Sequence, residues 1–77
     1  MNEGIFYVME LQTDVSGAVL TWTFTNFAEA ESKFYLILSA AAISTVRKHG
    51  AIILNEDGVM LKHEVFTHKV EAQNNAE

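Results

Sequence analysis

The hydrophobic rhythm of the chain changes twice. Apolar and polar residues alternate from residue 5 to 25, follow a helical spacing from 27 to 48, and return to strand-like patterns from 51 to 70. Residues 5–12 (Ile-Phe-Tyr-Val-Met-Glu-Leu-Gln) are rich in β-branched and aromatic types, which predicts a strand. Ile5, Tyr7, Met9 and Leu11 share one of its faces; Phe6, Val8, Glu10 and Gln12 share the other. Thr13-Asp-Val-Ser-Gly17 has turn chemistry. In residues 18–25, Ala18, Leu20, Trp22 and Phe24 make an apolar face and Thr21, Thr23 and Thr25 a polar one, as in a half-buried strand. The two strands read as a β-hairpin, with Trp22 a core residue rather than a ligand-stacking one.

A helix is predicted over 27–48. Asn26 can cap its first turn, and Glu29 can reach back in a capping box. Glu29 and Glu31 then sit at the positive end of the helix dipole, Arg47, Lys48 and His49 at the negative end. Gly50 suits the left-handed residue just past the C-terminus. Inside this span lies the most informative stretch of the chain, Phe34 to Val46, thirteen residues without a charge.

At about 100° per residue, Phe27, Ala30, Phe34, Leu38, Ala41 and Thr45 fall in one stripe, which should meet Leu20, Trp22 and Phe24 of the sheet. The opposite stripe runs through Glu29, Lys33, Leu36, Ala40, Ile43 and Arg47. Its ends are charged and its middle is apolar. Ser39 and Ala42 beside it are small enough for a second backbone to approach. Leu36, Ser39, Ala40 and Ile43 are therefore the predicted interface residues, in a self-complementary helix–helix contact centred on Ala40. Phe6, Val8 and Phe66, read as lying on strand faces away from the helix, form a second candidate contact surface.

Ala51-Ile-Ile-Leu54 reads as a short buried strand, and Asn55-Glu-Asp-Gly58 as a hairpin turn with Gly58 at its positive-φ position. Residues 59–70 make a longer, more polar strand. Residues 71–77 have nothing to bury and are expected to be disordered. The predicted fold is α+β: ββαββ, a four-stranded, mainly antiparallel sheet with one helix on one face, in a single domain over 1–70. The pattern leaves the strand order open.

Composition sharpens the case for self-association. A chain of 77 residues buries only about 60–65% of its unfolded surface, so its stability margin is thin. Small domains compensate with disulfides, a metal or oligomerisation. There is no cysteine, yet the chain is 49% hydrophobic. Oligomerisation is the remaining device, most simply a homodimer.

The net charge is −5, of which Glu71 and Glu77 carry two, leaving −3 on residues 1–70. Lys33, Arg47, Lys48, Lys62 and Lys69 are too few and scattered for a phosphate-binding surface, so no nucleic-acid partner is expected. The apolar run at 34–46 is shorter than the roughly 20 residues that span a bilayer, and Met1-Asn-Glu-Gly lacks the basic start of a signal peptide. No membrane partner is expected, and the location should be cytoplasmic or virion-associated.

No motif for chemistry stands out. Gly4, Gly17, Gly50 and Gly58 are isolated, so there is no phosphate-binding glycine loop. A nucleophile built from Ser39 or Ser44 with a histidine is less convincing than small packing residues in an alanine-rich helix. His63 and His68 are five apart on a strand and point to opposite faces. A site joining His49 to one of them with Glu64 is conceivable, but ordinary hydrogen-bonded histidines account for all three. Glu56 and Asp57 read as solvated turn residues. No catalytic residue, metal ligand or cofactor is assigned.

Ala30-Glu-Ser-Lys33, then Ser39-Ala-Ala-Ala-Ile-Ser44, then His49 with the Ile52–Gly58 hairpin, resemble a group of small uncharacterised proteins encoded in phage and prophage gene clusters of Gram-positive, gut-type bacteria. The likeness spans residues 5–69 and rests on an alanine-rich helix between two hairpins. It implies a phage accessory or virion-associated protein and carries no site residues. The reading is a non-enzymatic homo-oligomer in a structural or protein-interaction role, its partners itself and another phage or host protein. The alternatives are a dimeric small-ligand-binding regulatory module and an acidic inhibitor that mimics nucleic acid.

Overall fold

The structure is a computed structural model that describes residues 4–13 and 17–68. The expected disordered tail at 71–77, the end of the last predicted strand at 69–70 and the middle of the first turn lie outside those residues. Two hairpins flank one helix: β1 (Phe6–Thr13), β2 (Ala18–Phe24), α1 (Phe27–Ala42), β3 (Lys48–Asn55) and β4 (Met60–Thr67). The four strands form one antiparallel sheet in the order β2-β1-β3-β4, with α1 packed on one face. This is the predicted α+β, ββαββ layout.

Chain direction accounts for the order. A helix that crosses the sheet returns β3 in the direction of β2, antiparallel to β1. Pairing at the free edge of β1 therefore keeps every ladder antiparallel. Lengths match as well: the 16-residue helix is about 24 Å long and the eight-residue β3 about 26 Å.

The core lies between α1 and the two inner strands. Ala30, Phe34, Ile37 and Ala41 of the helix are buried against Phe6, Val8, Ala51 and Ile53 of the sheet. Val8 and Ile53 face each other across the β1–β3 ladder and are fully enclosed. Phe27 meets Phe6 edge-on, with ring centroids 5.5 Å apart. Trp22, Phe24 and Leu38 close the rim half-buried, and the Lys33 amine stands 4.1 Å over the Trp22 ring.

Three expectations are corrected. First, the helix ends at Ala42, not at 48. In Ile43-Ser-Thr-Val46, the β-branched Ile43, Thr45 and Val46 lose side-chain freedom in a helix. The last turn tightens, with Ile43 N–H bonded to Ala40 C=O and Ser44 N–H to Ala41 C=O. Arg47 therefore lies beyond the helix, and Lys48 and His49 begin a strand. The ring of His68 bonds the Ala41 carbonyl at 2.8 Å in their place.

Second, Phe6 and Val8 are core, not an outer contact surface. The helix covers the face carrying Phe6, Val8, Glu10 and Gln12, and Tyr7, Met9 and Leu11 point to the uncovered side. Phe66 also lies on the helix side, in a cleft described below. Of the predicted facing residues, Leu20 remains 45% exposed at the open corner of β2, and Thr45 lies past the end of the helix.

Third, Gly50 is no helix cap. It sits in β3 between Leu11 and Val65, outside the left-handed region. Gly58 does take positive φ, at 80°, in the predicted turn. There the Asn55 side chain accepts from the N–H groups of Asp57 and Val59 at 2.8 and 2.9 Å.

Candidate functional site

The helix surface opposite the sheet is built by the uncharged run. Asn26 starts the helix by accepting the Glu29 N–H at 3.2 Å. Burial of Ala30, Phe34, Ile37 and Ala41 then fixes the rotation of α1. That rotation turns Leu36, Ser39 and Ala40 to the exterior, with Ile43 following at the C-cap. Leu36 is 61% exposed and Ile43 85%. All four predicted interface residues thus lie uncovered, and Leu36, Ala40 and Ile43 are one helical turn apart in succession.

Below the C-terminal end of α1, the structure joins residues that the sequence pattern keeps apart. His49 is 5% exposed. Its Nε2 lies 2.6 Å from Glu10 Oε2, and its Nδ1 lies 2.9 Å from Ser44 Oγ. Gln12 donates to the same Glu10 oxygen at 3.0 Å, and the Val46 N–H donates to Ser44 Oγ at 3.0 Å. With the ring proton on Nε2 and the Ser44 hydroxyl donating to Nδ1, every member is satisfied.

The order acid–imidazole–hydroxyl is that of a hydrolytic triad. Its setting is not. Ser44 follows the C-terminal end of a helix, where exposed carbonyls disfavour a developing oxyanion. The Val46 N–H already holds the serine oxygen in a local turn. The arrangement pins β1, β3 and the segment after α1 together.

An open cleft of about 490 Å³ runs between α1 and the edge strand β4. Phe34, Leu38 and Phe66 supply its apolar lining and Tyr35, Lys62 and Glu64 its polar groups, with His63 of β4 also bordering it. Lys62 donates to the Tyr35 hydroxyl at 3.1 Å and lies 3.4 Å from Glu31. The tyrosine first and the carboxylate second hold its ammonium above the ordinary value of 10.5.

The three histidines stay apart: His49 is buried, His63 faces out from β4 opposite Ile52, and His68 bonds the end of the helix. Among the described residues no group of three or more acidic, histidine or cysteine side chains could hold a metal ion. Among them, too, no helix is long and apolar enough to cross a membrane.

What the sequence reading missed is the uncovered face of the sheet. It carries Tyr7, Met9 and Leu11 of β1 beside Ile52 and Leu54 of β3. Both faces of β1 begin apolar, so alternation alone does not say which one the helix covers. The available signal was Glu10 with Gln12, the only polar pair on β1 that a buried histidine could use.

No family model, curated protein or solved structure matches this chain.

Proposed function

We propose that the protein works as a non-enzymatic homo-oligomer, with two copies meeting through the outer face of α1, in a structural or protein-interaction role. The observation that carries this reading is the exposure of Leu36 and Ile43 on either side of Ala40. Single exposed apolar residues are ordinary. Here two large ones border a floor of Ser39 and Ala40, which lets a second helix approach closely while Leu36 and Ile43 pack around it. The setting proposed is a phage or prophage, in the cytoplasm or on the virion, and its support is the resemblance across residues 5–69. A further phage or host protein would then bind the assembled oligomer.

Ala40→Arg places a long charged side chain at the centre of this contact. It should lower the solution mass measured by light scattering without changing the far-ultraviolet circular dichroism. An unchanged mass contradicts the helix-centred contact.

A second reading, a small-ligand-binding regulatory module, draws on the cleft between α1 and β4. A ligand that binds only the folded state raises its stability by mass action, about 2.7 kcal/mol at a hundred times its Kd, and the melting midpoint rises with it. A thermal-shift screen of small metabolites should give no such rise if the cleft is only a seam in the packing. A saturable rise abolished by Phe66→Ala would favour the ligand reading.

A further inference from the structure

Among the described residues the sheet has two apolar faces and one helix to cover them. An antiparallel sheet that shows one side to water usually makes that side polar. This one does not. Met9 and Ile52 are partners at its centre, with Tyr7 opposite Leu54 on one side and Leu11, Gly50 and Val65 in a row across β1, β3 and β4 on the other. Val19, opposite Leu11 on β2, is 54% exposed. The polar residues sit toward the edges: Thr21 and Thr23 on β2, His63 and Thr67 on β4. An apolar centre with a polar rim is the anatomy of an interface.

We infer that this open face is a second self-association surface, and that its occupant is the same face of another copy. Charge favours a copy. The chain is acidic overall, yet no strand residue on this face is acidic. Both strand carboxylates, Glu10 and Glu64, lie opposite Ala51 on the helix side. Among the described residues the face's one fixed charge is Lys48 at the end of β3, and it bonds Thr67 at 3.3 Å. A two-fold axis running across the strands sends the two Lys48 side chains to opposite ends. Apolar centre then meets apolar centre with no like charges opposed.

Area also suffices. Four strands about 4.8 Å apart, with ladders about seven residues long at about 3.4 Å each, give roughly 450 Å² in projection. Relief of the side chains raises the accessible area, so two faces in contact bury on the order of 1,000 Å², the threshold of a specific interface. Two such sheets pack as an aligned sandwich.

This surface is independent of the α1 contact and lies on the opposite side of the protomer. Two self-complementary contacts on opposite sides build assemblies larger than a dimer. The test is the solution mass of four proteins: the wild type, Met9→Lys, Ala40→Arg and the double variant, each checked for native circular dichroism. Thr21→Arg, at an exposed rim position opposite Met9, replaces Met9→Lys if the lysine variant fails to fold.

The wild type should exceed a dimer, either single variant should fall to a dimer, and the double variant should be a monomer. If Met9→Lys or Thr21→Arg folds and leaves the mass unchanged, the sheet-face contact is overturned, and the α1 contact still stands on Ala40→Arg. If Ala40→Arg alone is silent, the sheet-face contact survives and the helix reading falls. A monomeric wild type overturns the second copy as occupant.

Discussion

Gly50→Ala is expected to cost the protein most of its stability. A Cβ at this position would lie 2.2 Å from the Glu64 carbonyl oxygen and 2.6 Å from Val65 Cα. Both are backbone atoms of the neighbouring strand, so no side-chain rotation relieves the clash. β3 and β4 must separate or slide, and the ladder that joins them must break. Overpacking a rigid core costs about 1–3 kcal/mol and more where the backbone has to move. A domain this small has roughly 5 kcal/mol to lose.

The informative control is Gly58→Ala. Gly58 takes φ 80°, but nothing lies within 4 Å of its Cβ position. Only the left-handed penalty applies there, about 1–2 kcal/mol. Urea denaturation of the two variants should therefore rank Gly50→Ala well below Gly58→Ala. The reverse ranking would contradict the β3–β4 packing.

The second large effect is expected from His49→Ala. The imidazole links Glu10 of β1 to Ser44 behind the helix from within β3. Removing it leaves the Glu10 carboxylate, whose side chain is 14% exposed, facing a cavity with Gln12 as its other partner. It also leaves the Ser44 hydroxyl without its acceptor. Unsatisfied buried groups cost about 1–3 kcal/mol each, and the cavity adds to this. A loss of about 3 kcal/mol is expected in denaturant titration. Ser44→Ala, which removes the bond to His49 Nδ1 and the one from the Val46 N–H at a half-buried position between α1 and β3, should lose less, about 1–2 kcal/mol. If His49→Ala is no worse than Ser44→Ala, the buried link does not hold the fold.

These two positions mark where the sequence was legible and where it was not. The helix start was readable because Asn26 and Glu29 signal it locally. The hairpin turn was readable because Asn55 and Gly58 each have one natural role there. The buried stripe of α1 followed from helical spacing, apart from Ile37, which the packing adds.

The end of the helix was misjudged because Ile43 to Val46 keep the apolar spacing while the β-branched side chains of Ile43, Thr45 and Val46 oppose the helix. That error carried His49 and Gly50 with it. As helix-end residues they looked like a dipole partner and a cap; as strand residues they are a buried hydrogen-bonding hub and a point of backbone contact. Close approach of β4 to Gly50 is a tertiary fact with no local signature. The same holds for the covered face of β1, since Phe6 with Val8 and Tyr7 with Met9 are equally apolar pairs. The exposure of Leu36, Ala40 and Ile43 was legible because it follows from burial of the opposite stripe.

Self-association is the central claim, and solution mass tests it most directly. The wild-type protein should be measured by light scattering on a size-exclusion column over about a hundredfold dilution, because assembly by mass action depends on protomer concentration. The expected result is an oligomer that persists at the high end, larger than a dimer if both contacts form, and dissociates, if at all, only on dilution. A monomer at every concentration would contradict the account, and would leave Leu36, Ile43 and the Met9–Ile52 face as surfaces for a different protein.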